Sequence, residues 1–217
     1  MTAAAYIPAD WPAPQRIVAG TTLRDSGFKL PAEPQFLRQV HGNRVVRLGT
    51  EDFAAGPPEA DAVISDRAGD ICVVRTADCL PILLCARDGA EFAAIHAGWR
   101  GLAGGVVEAT LAALGTPAGE LLAWFGPAIS QAAFEVGPEV RERFGTWGEI
   151  EGLFVPNERG RLQADLYGLA RARLQAAGVS AIYGGGLCTY ADTGRFYSYR
   201  RDGETGRMLS FVFHKSP

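Results

Sequence analysis

Short apolar runs, separated by clusters of glycine, proline and polar residues, dominate the chain and predict a protein rich in strands. Several of these runs are apolar enough to indicate central strands of a sheet. The predicted strands cover residues 16–21, 44–48, 62–65, 71–75, 82–86, 91–96 and 122–125. The end of the chain is typical of a hairpin, with strands at 196–200 and 208–213 around a turn at 202–206.

Two stretches have the pattern of helices. Residues 101–114 predict one continuous helix, and residues 165–177 form the clearest amphipathic helix of the chain. Asp165 suits the N-cap of this second helix, and Gly178 suits the position after its last turn. Because strands outnumber helices and the two do not alternate regularly, we predict an α+β fold, a layered sandwich of mixed α/β type. Residues 1–217 are expected to form a single catalytic domain.

The composition is that of an ordinary globular protein, with 47% hydrophobic residues in a chain of 217. The net charge of −3 argues against a nucleic-acid-binding protein, although it allows a local basic pocket for a small anion. The start of the chain lacks the basic segment of a signal peptide, and no apolar stretch approaches the roughly 20 residues that cross a bilayer. We therefore expect a cytoplasmic protein without membrane contact, in which the four cysteines form no disulfide framework.

The few histidines of the chain point to a metal site. Two of the three histidines, His41 and His96, lie where a strand-like run gives way to glycine, and Cys79 lies at another strand end between them. Side chains at strand ends can converge on one point. Zinc binds histidine nitrogen and cysteine thiolate, and a catalytic zinc has three protein ligands and an open position for water. We therefore predict a metal site formed by His41, Cys79 and His96.

Two other kinds of chemistry would use the same residues. Without a metal, Cys79 could act as a thiolate nucleophile with His96 as its base and Asp78 as the orienting carboxylate. Two histidines and a cysteine also suit a blue-copper centre, which usually has a weak axial methionine, and the methionines here are Met1 and Met208. Three histidines are too few for the several ions of a multicopper oxidase. Zinc is therefore the preferred metal and copper the alternative.

Arginine and aromatic residues near these donors are candidates for binding an anion and a planar base. Residues 98–101 open the first predicted helix, where free N–H groups favour anions and Arg100 adds a positive charge. Arg200, in the predicted hairpin, is a second candidate contact, with a solvated strand face as the alternative. No glycine loop with a following lysine is present in the sequence, which argues against a nucleoside triphosphate enzyme. The aromatic residues that could stack on a base are Trp99, Phe134, Tyr190 and Tyr199.

Read in order, these segments and a few others resemble the YfiH-type laccase-domain family, whose members are now usually described as purine nucleoside phosphorylases. The similarity extends from about residue 11 to residue 213, nearly the whole chain. Its most specific elements are Thr-Ala-Asp-Cys at 76–79 and His-Ala-Gly-Trp-Arg-Gly at 96–101. The other matching segments lie at 39–42, 60–62, 126–129, 134–137, 188–190 and 196–202.

The resemblance implies a fold, a metal and an activity. The fold would be a single layered domain of the family's own type, and His41, Cys79 and His96 would match the family's metal ligands, generally regarded as zinc. The activity would be phosphorolysis of adenosine, inosine, guanosine or methylthioadenosine, with adenosine deamination beside it. A purine nucleoside and phosphate would then be the partners. Members have also been called polyphenol oxidases, and some bacterial ones are linked to the removal of wrongly built peptidoglycan precursors.

These activities assign roles to particular side chains. In deaminases with histidine and cysteine ligands, a separate carboxylate moves the protons, and Asp78 and Glu135 are the candidates here. They would act beside Cys79 and His96 as catalytic residues. As a hydrolase of peptidoglycan precursors, the protein would instead use the Cys79 and His96 pair on an amide. The predicted substrate-binding residues are Arg24, Gln39, Arg100 and Arg200.

The chain departs from the family before the first metal histidine. The family usually has a Thr-Arg-Gly-Gly-Val-Ser stretch and then a longer segment. Here residues 21–27 only loosely echo that stretch, and Gln39 follows within about a dozen residues, so a sizeable segment is expected to be missing. Because such a segment could help to close the substrate pocket, a protein that binds metal or nucleoside without turnover is a further alternative. The sequence predicts no particular oligomeric state.

Overall fold

A computed structural model describes residues 5–51, 53–145, 147 and 150–215, which form an α+β fold of three sheets and a few helices. The strands in these residues are β1 (Tyr6–Pro8), β2 (Ile17–Thr22), β3 (Val45–Arg47), β4 (Ala62–Ser65), β5 (Ile71–Thr76), β6 (Leu80–Ala86), β7 (Phe92–Ala97), β8 (Leu121–Phe125), β9 (Glu135–Val136), β10 (Phe154–Pro156), β11 (Leu162–Ala164), β12 (Ala181–Gly184) and β13 (Met208–His214). The helices are α1 (Trp99–Ala103), α2 (Val106–Ala113), α3 (Pro138–Glu142), α4 (Leu166–Ala176) and α5 (Tyr199–Asp202). The predicted fold class is therefore confirmed.

The largest sheet has six strands in the order β12-β8-β6-β7-β4-β3. β12 runs parallel to β8 and β3 parallel to β4, whereas the other neighbours are antiparallel. β6 and β7 lie in its middle and are buried along their whole lengths, which explains their nearly continuous apolar sequences. Successive residues of β6 point to opposite faces: Ile82 and Leu84 join the core that contains the helices, and Leu83 and Cys85 join the core beneath the second sheet.

The second sheet is antiparallel throughout, in the order β1-β2-β13-β5, and packs on the six-stranded sheet. Val74 of β5 and Val212 of β13 belong to the same buried hydrophobic cluster as Trp124 of the larger sheet. The other face is covered by aromatic residues, where the ring of Phe28 stacks on Phe211 with 5.4 Å between centroids. A small third sheet has the order β10-β11-β9.

All seven strands predicted in the first 125 residues are present, and their ends differ from the prediction by at most two residues. The predicted amphipathic helix is present as α4 and is capped as expected. The carboxylate of Asp165 accepts the backbone N–H of Gly168 at 2.9 Å. Gly178 follows the last turn with φ +94°, a left-handed conformation that glycine adopts without strain.

Two predicted elements are wrong in part. The helix expected at 101–114 is two helices, α1 and α2, because Gly105 has φ +83° and breaks the ladder of hydrogen bonds between them. The terminal hairpin does not form. Ser198 caps the short helix α5 by accepting the Arg201 N–H, and β13 pairs with β2 and β5 instead.

The two large sheets meet where the predicted metal donors lie. β5 belongs to the second sheet and β6 to the first, so the link at 77–79 crosses from one sheet to the other and carries Cys79. His96 lies in β7 directly opposite Pro81 of β6. The loop before β3 brings His41 to the same end of the sheet. Within the described ranges, no helix is both long and apolar enough to cross a membrane.

Candidate metal centre and cleft

Three side chains with metal-binding atoms come together at this end of the sheets. The ligand atoms of His41, Cys79 and His96 all lie within 4.8 Å of one another. Cys79 Sγ is 3.8 Å from His41 Nε2, and the two imidazole rings meet edge to face with 4.8 Å between centroids. His96 is buried whereas His41 is exposed, so the cluster opens to solvent on the His41 side.

A buried carboxylate holds both histidines. Asp61, fully buried before β4, accepts His96 Nδ1 at 2.7 Å and the backbone N–H of His41 at 2.9 Å through the same oxygen. Its other oxygen accepts the N–H groups of Gly42 at 2.7 Å and Val40 at 3.2 Å. These bonds stabilise the loop in which His41 has the strained φ of +61°. They also keep a proton on His96 Nδ1, so that Nε2 is the atom that could bind a metal once its own proton is lost.

The three groups also influence one another's charge. Burial raises the pKa of the Cys79 thiol, but the charge of His96 and hydrogen bonds from both histidines outweigh this effect and lower it to about 6. Burial lowers the pKa of His96, but the Cys79 thiolate and the Asp61 carboxylate raise it to about 9. Burial likewise opposes ionisation of Asp61, whereas its hydrogen bond from His96 lowers its pKa. At neutral pH Cys79 is therefore a thiolate, the form that binds metals.

The donor set fits a metal ion of the zinc type, which takes thiolate and imidazole ligands. Space around the donors is limited on one side by Gly98. A Cβ at this position would lie 2.9 Å from Cys79 Sγ and 3.0 Å from His41 Cδ2. Any residue other than glycine would therefore push the donors, which explains the glycine that follows β7.

A cleft of about 750 Å³ opens above the cluster. Its apolar and aromatic lining includes Trp99, Phe134 and Tyr199, and Tyr199 is 61% exposed. Tyr190, the fourth aromatic residue considered for stacking, is not among the lining residues. Five arginines also line the cleft: Arg38, Arg75, Arg100, Arg200 and Arg207. Among the described residues, the lining contains a single carboxylate, that of Asp78, which is almost completely buried.

Asp78 lies beside the cluster, but its carboxylate is occupied. One oxygen accepts the hydroxyl of Thr189 at 2.5 Å, and the other accepts the hydroxyl of Ser198 at 3.1 Å and the backbone N–H of Arg200 at 2.7 Å. The residue adopts φ +89°. These contacts fix the start of α5 to the chain next to Cys79, so the geometry gives Asp78 a positioning role rather than the proton-carrying role expected from the sequence.

Glu135 and Arg24 lie outside the cleft, contrary to expectation. The Glu135 carboxylate forms ion pairs with Arg159 and Arg161 and accepts Asn157 Nδ2 at 2.7 Å. Arg24 donates to the carbonyl of Thr193 at 2.9 Å and is not a lining residue. Arg24 was assigned from a loose sequence echo, and Glu135 from a motif that supplies its backbone rather than its side chain to the site. Its carbonyl accepts Arg200 Nη1 at 2.9 Å.

The other predicted substrate-binding residues line the cleft. Both ends of the Gln39 amide are bonded to the backbone of Arg75, each at 2.8 Å, so Gln39 holds its loop against β5. Arg100 lies over the ring of Trp99 at 4.4 Å, and Arg200 lies over Phe134 at 5.4 Å. Both arginines are therefore held over aromatic faces at the cleft.

Asp61 was missed as a site residue because a buried aspartate within an apolar run gives no chemical signal of its own. The segment Ala-Asp-Ala at 60–62 was noticed for its family resemblance. Asp61 directly precedes β4, and β4 pairs with β7, the strand that carries His96. This pairing would have indicated the contact between Asp61 and His96, but the order of strands in a sheet cannot be read from one sequence.

The fold and the site together define an α+β protein with a candidate metal centre in the lining of a cationic cleft. Residues 13–215 match the family described as multi-copper polyphenol oxidoreductase laccase. The chain belongs to this family, which includes the YfiH-type proteins that its motifs resemble.

Named relatives cover most of the chain. The purine nucleoside phosphorylase PA4543 of Pseudomonas aeruginosa is 45% identical over 241 residues, covering 96% of this chain and 98% of that protein. The purine nucleoside phosphorylase YfiH of Escherichia coli is 48% identical over 184 residues, covering 85% of this chain and 75% of that protein. Among solved structures, NMB0706 of Neisseria meningitidis superposes with a TM-score of 0.91 at 38% identity, covering 98% of this chain and all of that one.

The alignment with the Pseudomonas protein contains positions that this chain lacks. It spans 241 residues, whereas the chain has 217. At least part of the relative therefore has no counterpart here, in agreement with the expected missing segment. Its location before His41 stays a prediction.

Proposed function

We propose that the chain is a zinc-dependent purine nucleoside phosphorylase of the cytoplasm, acting on adenosine, inosine, guanosine or methylthioadenosine. In this reaction a phosphate oxygen forms a bond to the ribose C1′ while the bond from C1′ to the purine breaks, and the purine takes up a proton. The observation that carries the proposal is the position of the His41, Cys79 and His96 cluster in a cleft lined by arginine and aromatic side chains. The names of the relatives support the same activity.

Phosphate would be held by Arg100 and Arg200. Both line the cleft, and neither forms an ion pair within the described residues. A guanidinium offers a planar fork of donors that matches two phosphate oxygens. Because Arg200 is anchored through its backbone N–H to Asp78 and through Nη1 to the carbonyl of Glu135, its charge is placed before the phosphate arrives.

The purine would stack on the aromatic part of the cleft. Trp99, Phe134 and Tyr199 all line it. Stacking of a base on an aromatic ring contributes roughly 1–3 kcal/mol per base and does not distinguish one purine from another. Such a surface suits an enzyme that accepts several purine nucleosides.

The metal would be held by Cys79 as thiolate, by His96 through Nε2 and by His41. Zinc in such a site would act as a Lewis acid and would lower the pKa of bound water to about 7. The residues around it have separate tasks: Asp61 orients both histidines, and Gly98 keeps the space beside the donors open.

Adenosine deamination belongs to the proposal as the lesser activity. It needs a carboxylate that is free to move protons. Asp78 is occupied by three hydrogen bonds and Glu135 is engaged with two arginines outside the cleft. Phosphorolysis depends less on such a group, because phosphate is itself the nucleophile.

A second candidate is a Cys79-dependent amide hydrolase. It is favoured by the lowered pKa of Cys79, about 6, and by the 3.8 Å distance from its Sγ to His41 Nε2. A covalent thioester at Cys79 during turnover would support it. Metal bound by the same sulfur would argue against it, because a coordinated thiolate is not free to attack.

The test compares two histidine variants by elemental analysis and by nucleoside assays. We expect about one zinc per chain, retained in His214→Ala and lost in His41→Ala, because His214 lies on β13 away from the cleft. Release of base from adenosine or inosine should require phosphate and should be lost with the metal. A folded wild type that contains no metal, or that contains zinc and releases no base in the presence of phosphate, would refute the proposal.

A further inference from the structure

The cleft carries more positive charge than a neutral nucleoside and one phosphate ion require. Of its five lining arginines, Arg38 is paired with Glu59 at 2.8 Å. The other four form no ion pair within the part of the chain that the structure describes, in a protein whose net charge is −3. Arg100 and Arg200 account for one phosphate. The charges of Arg75 and Arg207 are then without a function.

Arg75 and Arg207 lie next to each other on the second sheet. Arg75 is in β5 opposite Leu209 of β13, and Arg207 immediately precedes that strand. Arg207 is therefore two residues from the direct partner of Arg75. This diagonal spacing, about 7–8 Å between backbones, is within reach of long side chains.

Backbone contacts hold both guanidinium groups and leave donors available. Arg207 Nη1 donates to the carbonyls of Thr205 and Gly206, at 2.7 and 2.9 Å. Arg75 Nη2 contacts the carbonyl of Leu37 at 3.3 Å, and its guanidinium lies 5.2 Å from the centre of the Phe36 ring. Each guanidinium has five N–H donors, so most remain free to bind an anion. Because their guanidinium groups are held in place, these two arginines are typical of a preorganised anion site and not of a solvated surface.

We propose that Arg75 and Arg207 bind a phosphate group that the substrate itself carries, so that the cleft accepts purine nucleoside 5′-phosphates. The inference rests on the proposed function for the assignment of Arg100 and Arg200 to the attacking phosphate. The cleft of about 750 Å³ is within the range of 300–1,000 Å³ typical of small-molecule sites, which is large enough for a nucleotide with a phosphate ion beside it.

The test is calorimetric titration of the full-length, metal-loaded protein with AMP, adenosine and inorganic phosphate, each separately and at one ionic strength. We expect AMP to bind at least tenfold more tightly than adenosine. Arg207→Met should remove this advantage while the affinity for adenosine stays unchanged. Arg75→Met should do the same, with circular dichroism as the check on folding, and the matched control Arg67→Met, outside the cleft, should have no effect.

The outcomes separate this inference from the proposed function. Equal affinity for AMP and adenosine in the wild type would overturn the inference, even if adenosine is phosphorolysed. The inference would also be overturned if Arg207→Met lost the binding of inorganic phosphate and the wild type did not prefer AMP to adenosine. That result would assign Arg75 and Arg207 to the attacking phosphate. An Arg207-dependent preference for AMP in a protein that converts no nucleoside would support the inference and refute the proposed function.

Discussion

The hydrogen bonds of Asp61 predict that metal binding at the His41, Cys79 and His96 cluster depends on a residue that is not itself a ligand. Asp61→Asn keeps the size of the side chain and one acceptor oxygen. If that oxygen faces His96 and His41, the new amide NH₂ faces the N–H groups of Gly42 and Val40, which lose their acceptor. The amide NH₂ and these backbone N–H groups are all donors and cannot bind one another, so the loop that carries His41 is no longer held in place.

The expected magnitude comes from this geometry. Substitution of groups that orient metal ligands typically lowers metal affinity 10–100-fold, which is about 1.4–2.7 kcal/mol. The upper part of this range is expected here, because one carboxylate binds the ring of His96 and also the backbone of the loop that carries His41. A buried donor without an acceptor costs about 1–3 kcal/mol, so the free energy of unfolding should also fall by about this amount.

The assay is a competition titration for zinc against a chromogenic chelator, with His96 followed by imidazole nitrogen NMR in the metal-free protein. Asp61→Asn should weaken zinc binding and lower the pKa of His96, because the Asp61 carboxylate helps to hold that pKa at about 9 in the wild type. Asp66→Asn is the matched control, since Asp66 is exposed and pairs with Arg47 outside the site. Unchanged zinc affinity in a folded Asp61→Asn protein would show that the carboxylate does not orient the donors.

Three further substitutions test other parts of the structure. Gly98→Ala should lower zinc affinity at least tenfold, whereas Gly119→Ala, where a Cβ meets nothing within 4 Å, should not; equal affinities would contradict the close approach to Cys79. In Asp78→Asn the new side chain tolerates the positive φ but lacks the charge that anchors α5. The KM for phosphate should therefore rise severalfold. An unchanged KM would show that Arg200 does not bind phosphate. Glu91→Gln should lower the free energy of unfolding at pH 7 by about 2 kcal/mol, measured by urea denaturation, and this difference should shrink as the pH falls below about 4.3.

The sign of the Glu91 effect follows from its surroundings. Burial raises the pKa of Glu91, but hydrogen bonds from Thr116, the Gly115 and Thr116 N–H groups and Arg47 outweigh it and lower the pKa. A carboxylate whose pKa is lowered in the folded state stabilises the protein fully above its unfolded pKa of about 4.3. The stabilisation is lost as the pH falls towards the folded value. A difference between wild type and Glu91→Gln that grew at acid pH would contradict this reasoning.

The sequence predicted the strands of the central sheets because those segments are buried and their apolar runs are unambiguous. It also predicted that His41, Cys79 and His96 would come together, because histidine is scarce and each of these residues lies near a strand end. The helix α5 was not predicted, since its start depends on Ser198 and on the distant carboxylate of Asp78. Alternating aromatic and polar residues there are typical of a strand. The local pattern favours a strand at this segment, but the tertiary contacts with Asp78 favour the helix, and these contacts exist only in the folded chain.

Asp78 connects the candidate metal cluster with helix α5. It immediately precedes Cys79, and its carboxylate holds the backbone of Arg200 and the cap residue Ser198 of the same helix. The strained φ of Asp78 is therefore stabilised by the contacts that place the predicted phosphate-binding arginine. A change at α5 should be transmitted to the thiolate, and a change at Cys79 to the arginine. The candidate metal donor Cys79 and the candidate phosphate-binding residue Arg200 are thus linked through Asp78, whose three hydrogen bonds favour an anchoring role over proton transfer.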